Sequence, residues 1–198
     1  MMQDSDKESG GVCIEGVVLG GLGKALLTPA TQKAIQQAEV IIGSDRQLAV
    51  ISQLLTRHID HKQTSYSQPK QVLLPPLSQL FELLDSCQQQ RVVILASGDP
   101  LHYGIGRWLL TKFGKENLQF HAGISSIQAA CHALGLALQD VEVLSLHGRA
   151  LAKIRTRLKT KQTLVILTDK HSQPQHLAQE CMNAGFAQSV IWVCELLG

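Results

Sequence analysis

Apolar and polar positions along this chain follow two different periods. Short runs in which every residue is apolar, such as residues 92–96 and 164–167, indicate strands that are buried on both faces, as in a parallel sheet covered by helices. Between such runs, as in residues 48–55 and 77–84, apolar residues recur every three or four positions, which predicts amphipathic helices. The alternation of the two patterns predicts an α/β protein.

The pattern places each element approximately. We expect strands over residues 17–19, 40–42, 92–96, 118–120, 141–146, 164–167 and 190–193. We expect helices over residues 30–38, 48–55, 77–84, 108–113, 127–134, 151–158 and 177–182. The segment 58–76 is polar and irregular, so no element is predicted there.

The polar stretch GKEN, residues 114–117, follows a predicted helix and favours a domain boundary. We therefore expect a flexible arm over 1–11, an N-terminal α/β domain over 12–118 and a C-terminal α/β domain over 119–198. The arm, MMQDSDKESGG, is polar and acidic, which is typical of neither a signal peptide nor a transit peptide.

Composition excludes several classes of protein. With 44% hydrophobic and 17% charged residues, the chain is a folded globular protein. A net charge of +2 and an aromatic content of 4% argue against a nucleic-acid partner. No apolar run is long enough to cross a bilayer, so no membrane partner is expected.

Cysteine and histidine spacing bears on location and metal binding. The five cysteines are odd in number, widely spaced and mostly within apolar segments, which favours buried, reduced thiols and a cytoplasmic location. The pairs His58/His61 and His171/His176 have no cysteine or carboxylate partners at the spacing that metal sites use, so no metal site is expected.

The first candidate ligand loop, GGLGK at residues 20–24, lies between a predicted strand and a predicted helix. It departs from the dinucleotide-binding motif because Leu26 stands where a third glycine or an alanine is needed. It departs from the phosphate-binding P-loop because Ala25 follows Lys24. The loop could equally be a structural turn.

The second candidate loop, SGDPLHYGIG at residues 97–106, follows the most apolar predicted strand. Ligands of parallel sheets collect at the carboxyl ends of strands, where this loop begins. Gly98 would allow the backbone to approach a ligand closely, and Pro100 would hold Asp99 extended. The alternative is an ordinary strand-to-helix turn in which Asp99 caps the helix.

Two further loops carry candidate chemistry. In GISS, residues 123–126, Ser125 or Ser126 would cap the next helix, whose amino-terminal amides could also bind polar ligand atoms. In LHGR, residues 146–149, Arg149 could bind a carboxylate beside His147, or both could be ordinary surface residues. The six cations between residues 149 and 161 are expected to form a solvated helix face that would also attract an anionic substrate.

In combination, the segments ASGDPLHYGIG, HAGISSIQAA and LSLHGR resemble the tetrapyrrole methylase family, and the resemblance extends from Gly16 to Gly198. The set of LTP, SGDP-x-x-YGIG, GISS and LHGR is similar to the branch that methylates carbon 5 of a precorrin or cobalt-precorrin macrocycle. The resemblance implies two α/β domains with S-adenosyl-L-methionine in the cleft between them, a homodimer, and a tetrapyrrole substrate with several carboxylates. It leaves open a C15-methylating, decarboxylating partner protein.

The resemblance also implies a set of site residues. The cofactor contacts fall on Gly21, Ser97, Gly98, Asp99, His102, Ser125, Ser126, Thr168 and Leu197. The macrocycle contacts fall on Tyr103, His147 and Arg149. Since methyl transfer from a sulfonium needs mainly alignment, no catalytic acid or base is assigned, and Asp99 and His147 are candidates for accepting the released proton.

The chain departs from the family pattern at several positions. Leu22 adds bulk to the first glycine loop, Val18 replaces a usual glycine, Ala122 a usual proline and His102 a usual aromatic residue. The chain also ends at Gly198, where relatives continue, so the C-terminal domain is expected to be short at its end. The alternatives are another member of the family or an inactive relative that binds the cofactor or a tetrapyrrole. A nicotinamide-dependent oxidoreductase is disfavoured by the missing third glycine.

Overall fold

The computed structural model describes residues 12–17, 27–58 and 68–195. Its strands are β1 (Val12–Val17), β2 (Val40–Gly43), β3 (Lys70–Leu73), β4 (Val92–Ser97), β5 (Leu118–His121), β6 (Val141–Ser145) and β7 (Thr163–Leu167). Its α-helices are α1 (Pro29–Gln37), α2 (Asp45–His58), α3 (Leu77–Asp85), α4 (Gly106–Phe113), α5 (Ser126–Leu134) and α6 (Pro174–Asn183). Short 3-10 helices cover Lys115–Asn117, Leu138–Asp140 and Leu151–Thr156.

The described residues form two compact units. Unit 1 contains the described residues up to Ser125, and unit 2 begins at Ser126. Strand β5 pairs with β1 and therefore lies in unit 1. The sequence pattern had placed most of this strand in a C-terminal domain that begins at residue 119.

Unit 1 is built on a five-stranded sheet in the order β3-β2-β4-β1-β5. All of its pairings are parallel, and Val92 of the central strand β4 lies level with Val12 on one side and Val40 on the other. Because the strands are parallel, their carboxyl ends all lie along one edge of the sheet. That edge is where the loops of this unit with candidate chemistry emerge.

The two faces of this sheet are covered by different helices. Val93 and Leu95 of β4 pack with residues of α1 and α2, while Val92 and Ile94 pack with residues of α3 and α4. From Val92 to Ala96 every residue of β4 is buried, as the apolar run predicts. The connections after β1 and β4 therefore lead to opposite faces, since α1 follows β1 and α4 follows β4.

Unit 2 contains a two-stranded parallel sheet formed by β6 and β7. Its core joins Leu144 and Leu146 to Ile154 of a 3-10 helix and to Leu177 and Cys181 of α6. The carboxyl ends of β6 and β7 also lie side by side, since Ser145 is level with Leu167.

Three predictions of secondary structure are wrong, and a fourth is displaced. The first strand was expected over residues 17–19, whereas β1 covers Val12–Val17 and residues 18 and 19 lie outside the described residues. Residues 151–156 form a 3-10 helix instead of an α-helix; the spacing of three between Leu151 and Ile154 suits both, because residues i and i+3 are aligned in a 3-10 helix. The apolar run 190–193 is exposed and is not a strand, with no neighbouring strand to pair with among the described residues. Strand β3 lies within the segment for which no element was predicted.

The six cations between residues 149 and 161 are exposed, as expected, but they do not share one helix face, because the 3-10 helix ends at Thr156. Arg155 forms an ion pair with Glu180 at 2.6 Å, and Arg157 forms one with Glu142 at 2.8 Å. Lys159 also lies 3.9 Å from a carboxylate oxygen of Glu142. These side chains connect elements of unit 2 and leave a smaller group of cations to attract a substrate.

The free cysteines follow the expectation in part. Cys87, Cys131 and Cys181 are buried, whereas Cys194 is exposed. Within the described ranges, no three histidine, cysteine or carboxylate side chains are grouped so that they could hold a metal ion. No helix in the same ranges has the length and apolarity needed to span a membrane.

Candidate functional site

The topology of unit 1 points to one place on its sheet. Strands β1 and β4 are neighbours, and their outgoing connections lead to opposite faces. In α/β proteins, ligands bind in the crevice outside the carboxyl ends of such a pair. The segment that we call the loop after β4, residues 97–106, begins at this point; it includes the last residue of β4 and the first residue of α4. The loop after β1, which contains the predicted contact Gly21, lies outside the described residues.

The first half of the loop after β4 is held by Asp99. One oxygen of its carboxylate accepts a hydrogen bond from the backbone N–H of Leu101 at 2.8 Å, and its carbonyl accepts one from His102 at 3.2 Å. Gly98 has a φ of 72°, a conformation that favours glycine. Asp99 does not cap the next helix, because α4 begins at Gly106 and the residue before it, Ile105, provides its cap position.

The second half of this loop folds tightly onto Pro100. The N–H of Gly106 donates to the carbonyl of Pro100 at 2.9 Å. A Cβ atom at Gly104 or at Gly106 would lie 2.6 Å from that same carbonyl oxygen, closer than any real contact allows. The glycines of YGIG are thus required by the backbone fold of the loop itself.

Two ring side chains project from the loop. His102 and Tyr103 are exposed, and their ring centroids lie 5.0 Å apart. Tyr103 has a φ of 60°, which is uncommon for a residue with a side chain and which marks strained backbone at candidate sites. The predicted contacts of this loop thus lie together in unit 1: Ser97, Gly98, Asp99, His102 and Tyr103.

Gln47 also belongs to this edge of the sheet, although the sequence analysis gave it no role. Its side chain is buried and lies between the loop after β2 and the end of β4. Its Oε1 accepts the backbone N–H of Ser44 at 2.8 Å, and its Nε2 donates to the hydroxyl of Ser97 at 3.1 Å. The capping-box pattern of Ser44 followed three residues later by Gln47 could have drawn attention to this position, because helix starts after parallel strands lie at the carboxyl edge.

The GISS segment lies at the next strand end of the chain. His121, the last residue of β5, is buried, and burial lowers the pKa of its imidazole, which favours the neutral form. Ser125 is buried and directly precedes α5, where a cap residue is expected, while Ser126 is exposed and begins the helix. This agrees with the prediction that one of the two serines lies at the cap.

In unit 2, the predicted residues lie in the two loops that follow β6 and β7. His147, Arg149 and Thr168 are all exposed. The guanidinium of Arg149 donates to the carbonyl of Ser145 at 3.2 Å, which holds it against its own loop. The predicted contact Leu197 lies outside the described residues.

Asp169, which is not among the predicted site residues, joins these two loops. Its carboxylate accepts the backbone N–H groups of Gly148, His171 and Ser172 at 2.9–3.0 Å, and the hydroxyl of Ser172 at 2.9 Å. These bonds, of which the one from Gly148 is the strongest influence, hold the pKa of Asp169 well below its ordinary value. The aspartate after a strand, followed by a serine three residues later, is the sequence pattern that could have revealed it.

The sequence pattern of the family described as Tetrapyrrole (Corrin/Porphyrin) Methylases matches residues 16–198. The chain therefore belongs to the tetrapyrrole methylase family, which confirms the resemblance and the predicted α/β fold class.

Two curated relatives and one solved structure are similar over most of the chain. It is 29% identical to cobalt-precorrin-7 C(5)-methyltransferase of Salmonella typhimurium, over 91% of this chain and 83% of that protein. It is 31% identical to precorrin-6Y C(5,15)-methyltransferase (decarboxylating) of a Sinorhizobium species, over 91% of this chain but 41% of that protein. The crystal structure of a precorrin-6Y methylase from Archaeoglobus fulgidus has the same fold, with a TM-score of 0.60, 24% identity and coverage of 84% and 77%.

Proposed function

We propose that this chain is an S-adenosyl-L-methionine-dependent methyltransferase that methylates carbon 5 of a precorrin or cobalt-precorrin macrocycle in cobalamin biosynthesis. The observation that carries the proposal is family membership over residues 16–198, with similarity to two relatives named for methylation at carbon 5. The place of the loop after β4, at the point where the connections of β1 and β4 diverge, supports it independently.

The residues at that point suit S-adenosyl-L-methionine. Gly98 has no side chain to keep a ligand from the backbone, and Ser97 presents an exposed hydroxyl at the strand end. Further proposed contacts are Asp99, His102 and Ser125 in unit 1 and Ser126 at the start of α5. The loop after β7 provides the proposed contact Thr168. Gly21 and Leu197 stay proposed contacts outside the described residues.

When bound, S-adenosyl-L-methionine supplies a sulfonium methyl group that an electron-rich carbon can attack directly. The residues of this chain need chiefly to hold the two reactants in line and to exclude water, and such positioning alone can account for about 7–11 kcal/mol of a barrier. Asp99 and His147 are the proposed acceptors of the released proton. Because its carboxylate accepts the backbone N–H of Leu101, Asp99 also stabilises the loop.

The proposed macrocycle contacts are Tyr103, His147 and Arg149, all of them exposed side chains. A macrocycle with several carboxylates needs a planar cationic donor, and Arg149 provides one at the carboxyl edge of the β6–β7 sheet. Turning Arg149 from the carbonyl of Ser145 to a substrate carboxylate would exchange a neutral acceptor for a charged one, which makes a stronger hydrogen bond.

Three further features belong to this proposal. We propose a homodimer, a cytoplasmic location and a partner that carries the C15-methylating, decarboxylating activity. The chain matches 41% of the precorrin-6Y C(5,15)-methyltransferase, so most of that relative lies outside the matched region.

Methyl transfer to a defined macrocycle tests the proposal. We expect the purified protein, given S-adenosyl-L-methionine and cobalt-precorrin-7, to add one methyl group to the macrocycle, because its curated relative is named for that substrate. The product is measured by mass spectrometry, and the methylated carbon is assigned by NMR with an isotopically labelled methyl donor.

Uroporphyrinogen III in place of the precorrin is the matched control, since it is a tetrapyrrole substrate of a different kind. Methylation of the control alone would show another member of the family. Binding of the methyl donor without transfer to either macrocycle would show an inactive relative.

A further inference from the structure

Gln47 forms a buried bridge between two strand ends of unit 1. It lies in the first turn of α2, directly after β2, and only 6% of its surface is exposed. Its two amide atoms contact Ser44 on one side and Ser97 on the other, and Ser97 is separated from it by 50 residues of sequence. A buried amide that joins two strand ends in this way fixes the geometry of both.

The orientation of the Gln47 amide follows from its partners. A backbone N–H can only donate, so the atom of Gln47 that faces Ser44 N at 2.8 Å must be the carbonyl oxygen Oε1. The NH2 group therefore faces Ser97, and at 3.1 Å it donates to the hydroxyl oxygen. Oxygen and nitrogen of this amide cannot be exchanged without placing two donors against each other.

This orientation decides the role of the Ser97 hydroxyl. A hydroxyl has one hydrogen to donate and two lone pairs to accept with, and Gln47 uses one of the lone pairs. Within the part of the chain that the structure describes, no other hydrogen bond is made by this hydroxyl. Its hydrogen is therefore left to donate at the carboxyl edge of β4.

We propose that Gln47 is a positioning residue that fixes the Ser97 hydroxyl as a hydrogen-bond donor toward an acceptor oxygen or nitrogen of bound S-adenosyl-L-methionine. The inference rests on the proposed function, because it takes Ser97 to be a contact of the methyl donor. In this proposal Gln47 does not touch the ligand, but it determines which kind of ligand atom Ser97 can recognise.

The absence of a side chain at Gly43 leaves space for the amide of Gln47. A Cβ atom at Gly43 would lie 3.2 Å from its Oε1 and 2.9 Å from Cδ1 of Leu95. Gly43 and Leu95 are themselves buried, so the amide lies among buried neighbours at this strand end. The hydroxyl of Ser44 also accepts the backbone N–H of Gln47 at 3.4 Å, which holds the start of α2.

The substitution Gln47→Glu tests the proposal, because it keeps the shape of the side chain and replaces its donor by an acceptor. The carboxylate would still accept the N–H of Ser44 but would draw the Ser97 hydrogen toward itself. We expect S-adenosylhomocysteine, titrated calorimetrically, to bind about tenfold more weakly, which is the loss of roughly one hydrogen bond.

A double-mutant cycle separates positioning from a structural effect. We expect Ser97→Ala to weaken binding about tenfold alone, and Gln47→Glu to change it less than about twofold when Ser97 is already alanine. If the losses of binding free energy in the two single variants add up in the double variant, Gln47 does not act through Ser97, and the inference is overturned.

Gln71→Glu is the matched control, since Gln71 is an exposed glutamine of β3 whose Oε1 accepts from Ser52 at 3.0 Å, as a carboxylate also can. It should leave binding unchanged.

If Gln47→Glu does not fold, Gln47→Met takes its place, with about threefold weaker binding expected. Unchanged binding in the folded variant overturns the inference, whereas failure of the unaltered protein to bind contradicts the proposed function itself.

Discussion

Replacing Gly104 with alanine is expected to destabilise the protein by about 2 kcal/mol and to weaken S-adenosylhomocysteine binding more than about tenfold. The new Cβ atom would lie 2.6 Å from the carbonyl oxygen of Pro100, 3.0 Å from its carbonyl carbon and 3.1 Å from the carbonyl oxygen of Asp99. All three are backbone atoms, so the clash cannot be relieved by rotating a side chain. The loop that carries Ser97, Asp99 and Tyr103 must shift instead.

Gly135→Ala provides a matched control for this result. Gly135 has a φ of 66° but nothing within 4 Å of its missing Cβ, whereas Gly104 is not among the glycines with positive φ. The control should therefore cost about 1 kcal/mol for the left-handed backbone and leave ligand binding unchanged. Stability comes from denaturant unfolding and affinity from calorimetry. Equal affinity in the two variants would show that the loop after β4 does not bind the methyl donor.

The second large effect is expected for Asp169→Asn. The amide cannot accept all four hydrogen bonds that the carboxylate accepts, and its NH2 group would face N–H donors. We expect a melting temperature several degrees lower at pH 7. We also expect KM for the macrocycle to rise by roughly tenfold, because the loop that carries His147 and Arg149 loses the bond that holds Gly148.

The pH dependence of this effect follows from the lowered pKa of Asp169. Because the folded-state pKa lies below the unfolded value, the stabilisation is fully present above about pH 4 and is lost as the pH falls further. The difference in melting temperature between the unaltered protein and Asp169→Asn should therefore be larger at pH 7 than at pH 3.

Asp140→Asn is the control for that comparison, since Asp140 is an exposed carboxylate of the same unit whose side chain makes no hydrogen bond to the described residues. It should lower the melting temperature at neither pH. A difference for Asp169→Asn that is the same at pH 7 and pH 3 would show that its carboxylate does not stabilise the fold through its charge.

Most strands and helices of unit 1 could be predicted, because the apolar residues of each element follow one clear pattern. They are continuous in a buried strand and recur every three or four positions in a helix. The all-apolar run of β4 predicts a buried strand, and the structure confirms it. The helix expected over 30–38 is α1, where Pro29 is the first residue and the hydroxyl of Thr28 accepts the N–H of Thr31 at 3.2 Å. Strand β3 was missed because it is an edge strand with mostly exposed side chains, so it lacks the apolar run of its neighbours.

The candidate site was predictable where a residue's role is local and not where it depends on tertiary pairing. Ser97, Gly98 and Asp99 follow a buried strand directly, so their position at the carboxyl edge could be inferred from sequence. Gln47 and Asp169 also have partners two or three residues away, and these local patterns indicate a helix start and a turn. The bonds from Gln47 to Ser97 and from Gly148 to Asp169 span 50 and 21 residues, and no short-range pattern shows them. The run 190–193 misled for the same reason, since a strand depends on a neighbour that sequence spacing does not reveal.

Calorimetric titration of the unaltered protein with S-adenosylhomocysteine, with NADH as a parallel control, tests the central claim most directly. The methyltransferase proposal predicts saturable binding of S-adenosylhomocysteine at one site per chain and no binding of NADH. Absence of S-adenosylhomocysteine binding, or saturable binding of NADH in its place, would contradict it.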